Sequence, residues 1–331
     1  MAKVANAFTT YQAQGTREDL SDKIYNIDPF DTPVVSMAAR RTVKARTFDW
    51  QTENLPVVDL NNAREEGFEL ARRAATPTVR RSNVTQISSR DATVSGSQEA
   101  SDNAGKNSEM AHQMAMQSKV LKSDIEAITC SKQARVDGDD TAPTARKTES
   151  FPHQVARAAD RSAVQGAAVF PVANRTGLPT TATGTWTKLA VPTAFAEKNI
   201  GDAMEVAYAN GAEPTKLVVP PAIKRTISTF QGRSSSQVMV GKTEVVATVD
   251  IIATDFGRIT ALPSRWIQDG DLGLQIDPEY LAIAFFRTFR QYPIAKVGDA
   301  ETRMILAEWG VEVRNGMAHI IHNGIKQGTV I

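Results

Sequence analysis

The chain has 331 residues, 41% hydrophobic and 23% charged, enough to bury one large core or two modest ones and too apolar for a disordered polymer. Its 38 basic and 37 acidic side chains leave a net charge of +1, without the basic excess of a protein that grips nucleic acid by its phosphates. One cysteine, Cys130, excludes an intrachain disulfide and a disulfide-stapled secreted fold, so folding in a reducing cytoplasm is expected. Met1 to Thr10 lacks the apolar run of a signal peptide. The longest apolar stretch, Leu281 to Phe286, is too short to cross a bilayer, so a soluble protein without a membrane partner is expected.

Residues 1–45 read as an arm. Thr16 to Tyr25 predicts a short helix capped by Thr16, and Pro29 and Pro33 stop it. Val34-Val-Ser-Met37 is an apolar patch that needs another surface. In residues 46–98, Phe48-Asp-Trp50 alternates as a strand does. A polar, arginine-rich middle runs from Asn61 to Arg81, and alternation resumes over Asn83 to Ser89 and Asp91 to Val94. This predicts a long two-stranded excursion with a polar tip. Such a hairpin is marginal alone and implies a partner surface.

Residues 104–135 predict the longest helix, with Met110, Met114, Leu121, Ile125 and Ile128 on one face and a length of about 45 Å. Cys130 falls inside it and reads as a small buried apolar side chain. Asp137-Gly-Asp-Asp140 ends the run. Residues 137–191 read as loops and short elements. An α/β unit follows. A helix is expected over Thr193 to Asn210, with Phe195, Ile200, Met204 and Ala207 on one side and Gly211 closing it. Lys216 to Pro220 reads as a strand and Pro221 to Phe230 as a helix. Glu244 to Ala253 and Gly257 to Leu262 read as strands. Leu272 to Ile276, Tyr280 to Phe289, Thr302 to Val313 and His319 to His322 supply four more strands. Glu308 to Arg314 alternates polar and apolar residues, and Asn315-Gly316 signals a turn.

Sites for chemistry are sparse. Gly241-Lys-Thr243 ends like a phosphate loop, but position 236 is Ser and a strand-forming run follows, so it reads as a turn. Ser234 to Ser236 reads as a flexible loop. His319 and His322, three apart on a strand, point to opposite faces and do not make a metal pair; His112 and His153 stand apart. Asp137 to Asp140 lacks the spaced oxygens and distal glutamate of a calcium loop. No catalytic serine elbow or zinc-protease helix occurs, and neither enzymatic activity nor a cofactor is expected. Two charged groups remain. Arg40, Arg41, Lys44 and Arg46 form a basic cluster suited to DNA or to a neighbour's acidic patch, unless it is simply a solvated face. Arg64, Arg72, Arg73, Arg80 and Arg81, interleaved with Glu65, Glu66 and Glu69, suit ion pairs between subunits, because the planar guanidinium favours bidentate carboxylate contacts.

The run from Thr16 to Pro33, its continuation to Phe48-Asp-Trp50, and the C-terminal Gly298-Asp-Ala-Glu-Thr-Arg303, Glu308 to Asn315 and Ala318-His319 resemble the major head proteins of tailed bacteriophages. The resemblance spans nearly the whole chain. It implies an α+β Hong Kong 97-like (Johnson) capsid fold: residues 1–45 as N-terminal arm, 46–98 as extended E-loop, and 99–149 as peripheral domain with its spine helix. Residues 150–265 would form the axial domain, and 266–331 the strands returning to the peripheral domain. It also implies hexamers and pentamers of the chain itself, closed into an icosahedral head around double-stranded DNA held by weak, non-specific contact, with a portal as a further partner. Assembly in the host bacterial cytoplasm is expected. Some capsids of this fold are welded by an isopeptide bond from an E-loop lysine. Here no lysine lies between Lys44 and Lys106, although arginine occurs seven times, so no such bond is expected. No long helical segment precedes the arm, so a separate scaffolding protein is expected, and a cement or decoration protein with it. The competing readings are an encapsulin-like compartment of the same fold and a soluble α/β ligand-binding protein with its site in residues 193–265.

Overall fold

The computed structural model describes residues 31–53, 58–69, 77–101, 105–141, 143–157, 169–170, 178–230, 251–267, 269–296 and 298–327. The helix expected at Thr16 to Tyr25, the Gly241 turn and the Ser234 loop lie outside them. Two sheets organise the described chain.

The first sheet has four strands in the order β1 (Ala39–Thr42), β11 (Leu281–Ile294), β12 (Ala300–Val313) and β4 (Gln86–Ser95). β1 runs parallel to β11, and the other pairs are antiparallel. The long helix, α3 (Glu109–Thr129), lies across β4 and β12. Its apolar spacing is realised, with Met110, Met114, Leu121 and Ile125 all buried. The Ser108 hydroxyl caps its first turn by accepting from the Ala111 N–H at 3.2 Å. α2 (Gly96–Ala100) supplies a second cap, since Glu99 accepts from the Met110 N–H at 3.0 Å and from the Ser108 hydroxyl at 2.6 Å. These bonds hold the Glu99 carboxyl below its usual pKa.

The helix is about 32 Å long rather than 45 Å. No local breaker stops it at Cys130; tertiary partners do. Gln133 donates to Gln86 and to the Thr148 carbonyl, the Arg135 N–H bonds the Ala182 carbonyl, and Val136 bridges to Lys147. Cys130 is the C-cap and is buried, with its thiol pushed up by burial first and by Glu126 second.

The second sheet has six strands in the order β5 (Val169–Phe170), β13 (Ile320–Asn323), β10 (Leu272–Ile276), β7 (Lys216–Val219), β9 (Gly257–Pro263) and β8 (Ile251–Thr254). Helix α5 (Glu197–Ala209) packs Phe195, Ile200 and Met204 against Leu217, Ile252 and Ile259. α5 starts four residues later than its apolar pattern suggests, because β6 (Thr193–Ala194) pairs with β14 (Ile325–Lys326). Gly211, at φ +72°, ends it as expected. α6 (Pro221–Ile227) follows β7 directly.

The C-terminal strands divide between the sheets. β11 and β12 join the four-stranded sheet, whereas β10 and β13 sit inside the six-stranded one, where every residue of β10 is buried. An apolar run such as Leu272-Gly-Leu-Gln-Ile276 needs cover on both faces, and only an interior position supplies it. Asn315-Gly316 therefore does not close a hairpin: a short 3-10 turn, Gly316–Ala318, carries the chain from one sheet to the other. α4 (Phe151–Ala156), wholly buried, ties the sheets together, with Gln154 bonding the Val311 carbonyl and the Val313 N–H and Phe151 packing edge-on against His319.

The expected excursion is present. β2 (Thr47–Thr52) and β3 (Val79–Val84) form an isolated antiparallel pair in register from Thr47–Val84 to Thr52–Val79. The returning alternation after Val84 is β4, which belongs to the four-stranded sheet.

Candidate functional site

The hairpin is anchored at its base and open at its tip. Phe48 and Trp50, two apart and so on one face, are buried and stacked at 5.9 Å. They cover Gly310 of β12 so closely that a Cβ there would lie 2.6 Å from the Phe48 ring. Asn83, fully buried, donates to the Val311 carbonyl at 2.7 Å, the Glu149 carbonyl at 3.1 Å and the Thr148 hydroxyl at 3.1 Å, and accepts from the Glu149 N–H at 3.0 Å. One amide thus ties the hairpin to the sheet and to the loop before α4. At the other end Val58, Leu60 and Phe68 are 81%, 93% and 50% exposed.

A second arrangement holds the arm. α1 (Pro33–Met37) is one helical turn placed against α3. The N–H groups of Val34 and Val35 donate to the two carboxylate oxygens of Glu126 at 2.9 and 2.7 Å. Burial raises the Glu126 pKa to about 7 against the opposing pull of those two bonds.

Glu308 and Glu312 are the carboxylates in the polar–apolar alternation of β12. Both are buried, as are Trp309 and Val311, because the hairpin strand β3 and α4 pack on β12 as well as α3. Each carboxylate is matched by arginine, as a buried charge requires. Glu308 accepts from Arg146 and Arg287, both at 2.8 Å, and from Thr85. Glu312 accepts from Arg41 at 2.6 Å and Arg314 at 3.3 Å.

The charged residues singled out in the sequence separate accordingly. Arg41 is held by Glu312 of its own chain, while Arg40, Lys44 and Arg46 are exposed. In the hairpin, Arg80 pairs with Asp49, Arg81 donates to Thr52 and Arg64 donates to the Asn61 and Ala63 carbonyls. Glu65, Glu66 and Glu69 are exposed at the tip. Arg72 and Arg73 lie outside the described residues. Sequence reasoning missed Asn83, Glu126, Glu308 and Glu312. The one available signal was that carboxylates within an otherwise apolar strand or helix face need partners.

His319 and His322 are buried and neutral, with burial drawing their pKa values to about 4 and about 3. His322 bonds Gln275, and His319 accepts from the Asp277 N–H. Among the described residues no group of three or more His, Cys, Asp or Glu side chains is placed to hold a metal, and no helix is long and apolar enough to cross a membrane. The described surface carries exposed apolar side chains, carboxylates and cations on elements anchored by buried polar bonds.

The sequence matches the SU10 major capsid protein family over residues 3–326. The major capsid protein of Escherichia phage Phieco32 is 27% identical over 344 aligned positions, covering 94% of this chain and 95% of that protein. Among solved structures, the capsid of Cyanophage P-SCSP1u superposes with a TM-score of 0.62 at 10% identity, covering 98% of this chain and 100% of that one. The capsid asymmetric unit of Cyanophage A-1(L) gives 0.59 at 10% identity, covering 96% and 99%. The SrpI encapsulin complex of Synechococcus elongatus PCC 7942 gives 0.56 at 8% identity, covering 97% and 95%. At such identities these structures establish a shared fold and nothing further.

Proposed function

The chain belongs to the SU10 major capsid protein family, and on that premise we propose how it builds a phage head. It is a phage major capsid protein with the Hong Kong 97-like α+β fold, it associates with itself, and its place is the virion. The encapsulin likeness is one of fold alone.

In our reading the subunits close into hexamers and pentamers, and these into an icosahedral shell around double-stranded DNA. The role is structural rather than catalytic. The observation that carries this reading is the hairpin β2–β3: anchored by Phe48, Trp50 and Asn83, it presents Val58, Leu60 and Phe68 to solvent on an element with no core of its own. Large exposed apolar side chains grouped on such an element are the mark of an interaction surface. Residues 1–45 serve as the N-terminal arm and 46–98 as the E-loop, with β4 seated in the peripheral sheet. Residues 99–149 contribute the spine helix α3. Residues 150–265 supply most of the axial domain, joined there by β10, β13 and β14, while β11 and β12 return from 266–331 to the peripheral domain. Shell strength comes from many modest contacts repeated by symmetry. Arg64, Glu65, Glu66, Arg72 and Arg73 act between subunits, with Arg80 and Arg81 bracing the strand that carries them. Arg40, Lys44 and Arg46 face a neighbour or the packaged DNA. A scaffolding protein guides assembly in the host cytoplasm, a portal occupies one vertex and a cement protein reinforces the outer surface.

The test is nuclease treatment of heads purified from infected cells, followed by gel-filtration and denaturing electrophoresis. This chain should be the dominant band, co-eluting with nuclease-protected DNA, and should run as a single chain. Covalent ladders would contradict the absence of an E-loop weld, and DNA-free particles filled with an enzyme would favour a cargo compartment.

A further inference from the structure

Among the described residues five glutamates are buried, and four of them face a cation. Glu109 pairs with Lys106, Glu149 with Arg157, Glu308 with Arg146 and Arg287, and Glu312 with Arg41 and Arg314. Glu126 is the exception. It is shut off from solvent, and among the described residues its oxygens are met by the Val34 and Val35 N–H groups and, at 3.9 Å, by Cys130 Sγ. Asp31, just ahead of α1, adds a second negative charge nearby. On the surrounding elements Arg41 is paired with Glu312 and Arg90 with Asp124, while Lys122 and Arg265 are exposed. A charge taken from water without a counter-ion is costly, and two N–H dipoles offset only part of that cost.

The element that closes over this carboxylate is weak by itself. α1 has 5 residues, too few to persist as an isolated helix, and Thr32 gives it no side-chain cap. Glu126 supplies the missing cap from another element by accepting from two N–H groups of the first turn. Val34 packs into the core beside α3, and the Trp266 indole N–H holds the Asp31 carbonyl. α1 is therefore helical only where it lies on α3, and lifting it opens the carboxylate to water.

We propose that α1 is a proton-coupled clip on the root of the N-terminal arm, closing on α3 with uptake of a proton by Glu126 and opening with its release. Closed, the carboxyl titrates at about 7; opened to water it returns to its ordinary value of 4.5. The closed state thus holds a proton that the open state has released. Closure is strongest in acid, weakens as pH rises from about 5 to about 7, and changes little above that. Asp31 works in the same sense by repelling the ionised carboxylate, whereas the Cys130 thiol, pushed up by burial, stays uncharged. The clip is a property of one subunit and goes beyond the capsid reading: mild acid holds the arm's root on α3, and neutral pH loosens it.

Cys130 reports its opening. It is the chain's one cysteine, is buried in the same cluster as Val34, and lies beside the carboxylate. The full-length chain is labelled with iodoacetamide across this pH range, and each rate is divided by that of a free cysteine peptide at the same pH. The corrected rate should rise close to tenfold per pH unit between about pH 5 and about 7 and then level off. It should be insensitive to low urea, as local opening is, and flat with pH in Glu126→Gln. A native rate without pH dependence, one that falls as pH rises, or a full dependence retained by Glu126→Gln would overturn the proposal. So would a rate that climbs steeply with urea, which would assign the proton to global unfolding. Amide exchange of Val34 and Val35 in the native chain, corrected in the same way, gives an answer even if the variant does not fold. It should follow the labelling profile, and a flat profile there also refutes the clip.

Discussion

Gly310→Ala probes the anchor of the hairpin with a single methyl group. The added carbon would lie 2.6 Å from Phe48 Cε1, 2.9 Å from Cζ and 3.0 Å from the Val84 carbonyl oxygen. The ring must retreat by about 1 Å to reach ordinary carbon–carbon separation. It is stacked on Trp50 and buried with it, so retreat means displacing both rings, and the Val84 carbonyl is backbone of β3 and moves only with the hairpin. Overpacking of this kind costs ~1–3 kcal/mol. Replacing glycine in a strand returns ~0.5–1 kcal/mol of it. The net expectation is a loss of about 1–2 kcal/mol per subunit. Chemical denaturation followed by tryptophan fluorescence reads this directly, since Trp309 is the residue before Gly310 and Trp50 stacks on the Phe48 ring. The double variant Phe48→Leu/Gly310→Ala should lose less than the sum of the two single changes, because the shorter side chain vacates the space the methyl group needs. An unchanged or raised midpoint for Gly310→Ala, or strict additivity in the double variant, would refute the close-contact account.

Asn83→Ala should cost about 2 kcal/mol, because it leaves the buried Glu149 N–H without its acceptor, while the Val311 and Glu149 carbonyls keep Gln154 as a donor; a loss under about 1 kcal/mol in the same denaturation assay would contradict the role given to that amide. Glu126 has a folded pKa raised from 4.5 to about 7, so the folded state keeps a proton the unfolded chain has released, and stability declines as pH rises through that window by about 3 kcal/mol. Glu126→Gln should flatten this slope, seen as a smaller difference between midpoints at about pH 5 and about pH 8, and an unaltered slope would remove Glu126 as its source. His319 and His322 act in the opposite sense. Their folded pKa values are drawn from 6.5 to about 4 and about 3, so the unfolded chain takes up protons first and stability falls on acidification below about pH 6.5. A His319→Gln/His322→Gln variant should lose less stability than the native chain between about pH 6.5 and pH 5, and an equal loss would contradict the assignment.

Legibility in the sequence followed the reach of each interaction. Local periodicity exposed α3 through Met110, Met114, Leu121 and Ile125, and β2 through Phe48 and Trp50, because one covered face imprints its period on the residues. The end of α3 was not readable, since Gln133 and Arg135 leave the helix for partners near residues 86, 148 and 182. Strand allocation was hidden for the same reason: nothing local to Leu272 to Ile276 names β7 as its neighbour, and nothing local to Ile320 to Asn323 names β10 and β5. Alternation alone does not say which face of β12 is covered, and Glu308 and Glu312 are buried against arginines from distant segments. The basic cluster read as one feature is divided by β1 itself, which turns Arg41 toward Glu312 and leaves Arg40 exposed.

The most direct test of the central claim is electron cryo-microscopy of the particles that this chain forms. The account predicts closed shells built of five- and six-subunit rings, with the β2–β3 hairpin of each subunit lying over its neighbour. Open aggregates, persistent monomers, or shells in which the hairpin folds back onto its own subunit would contradict it.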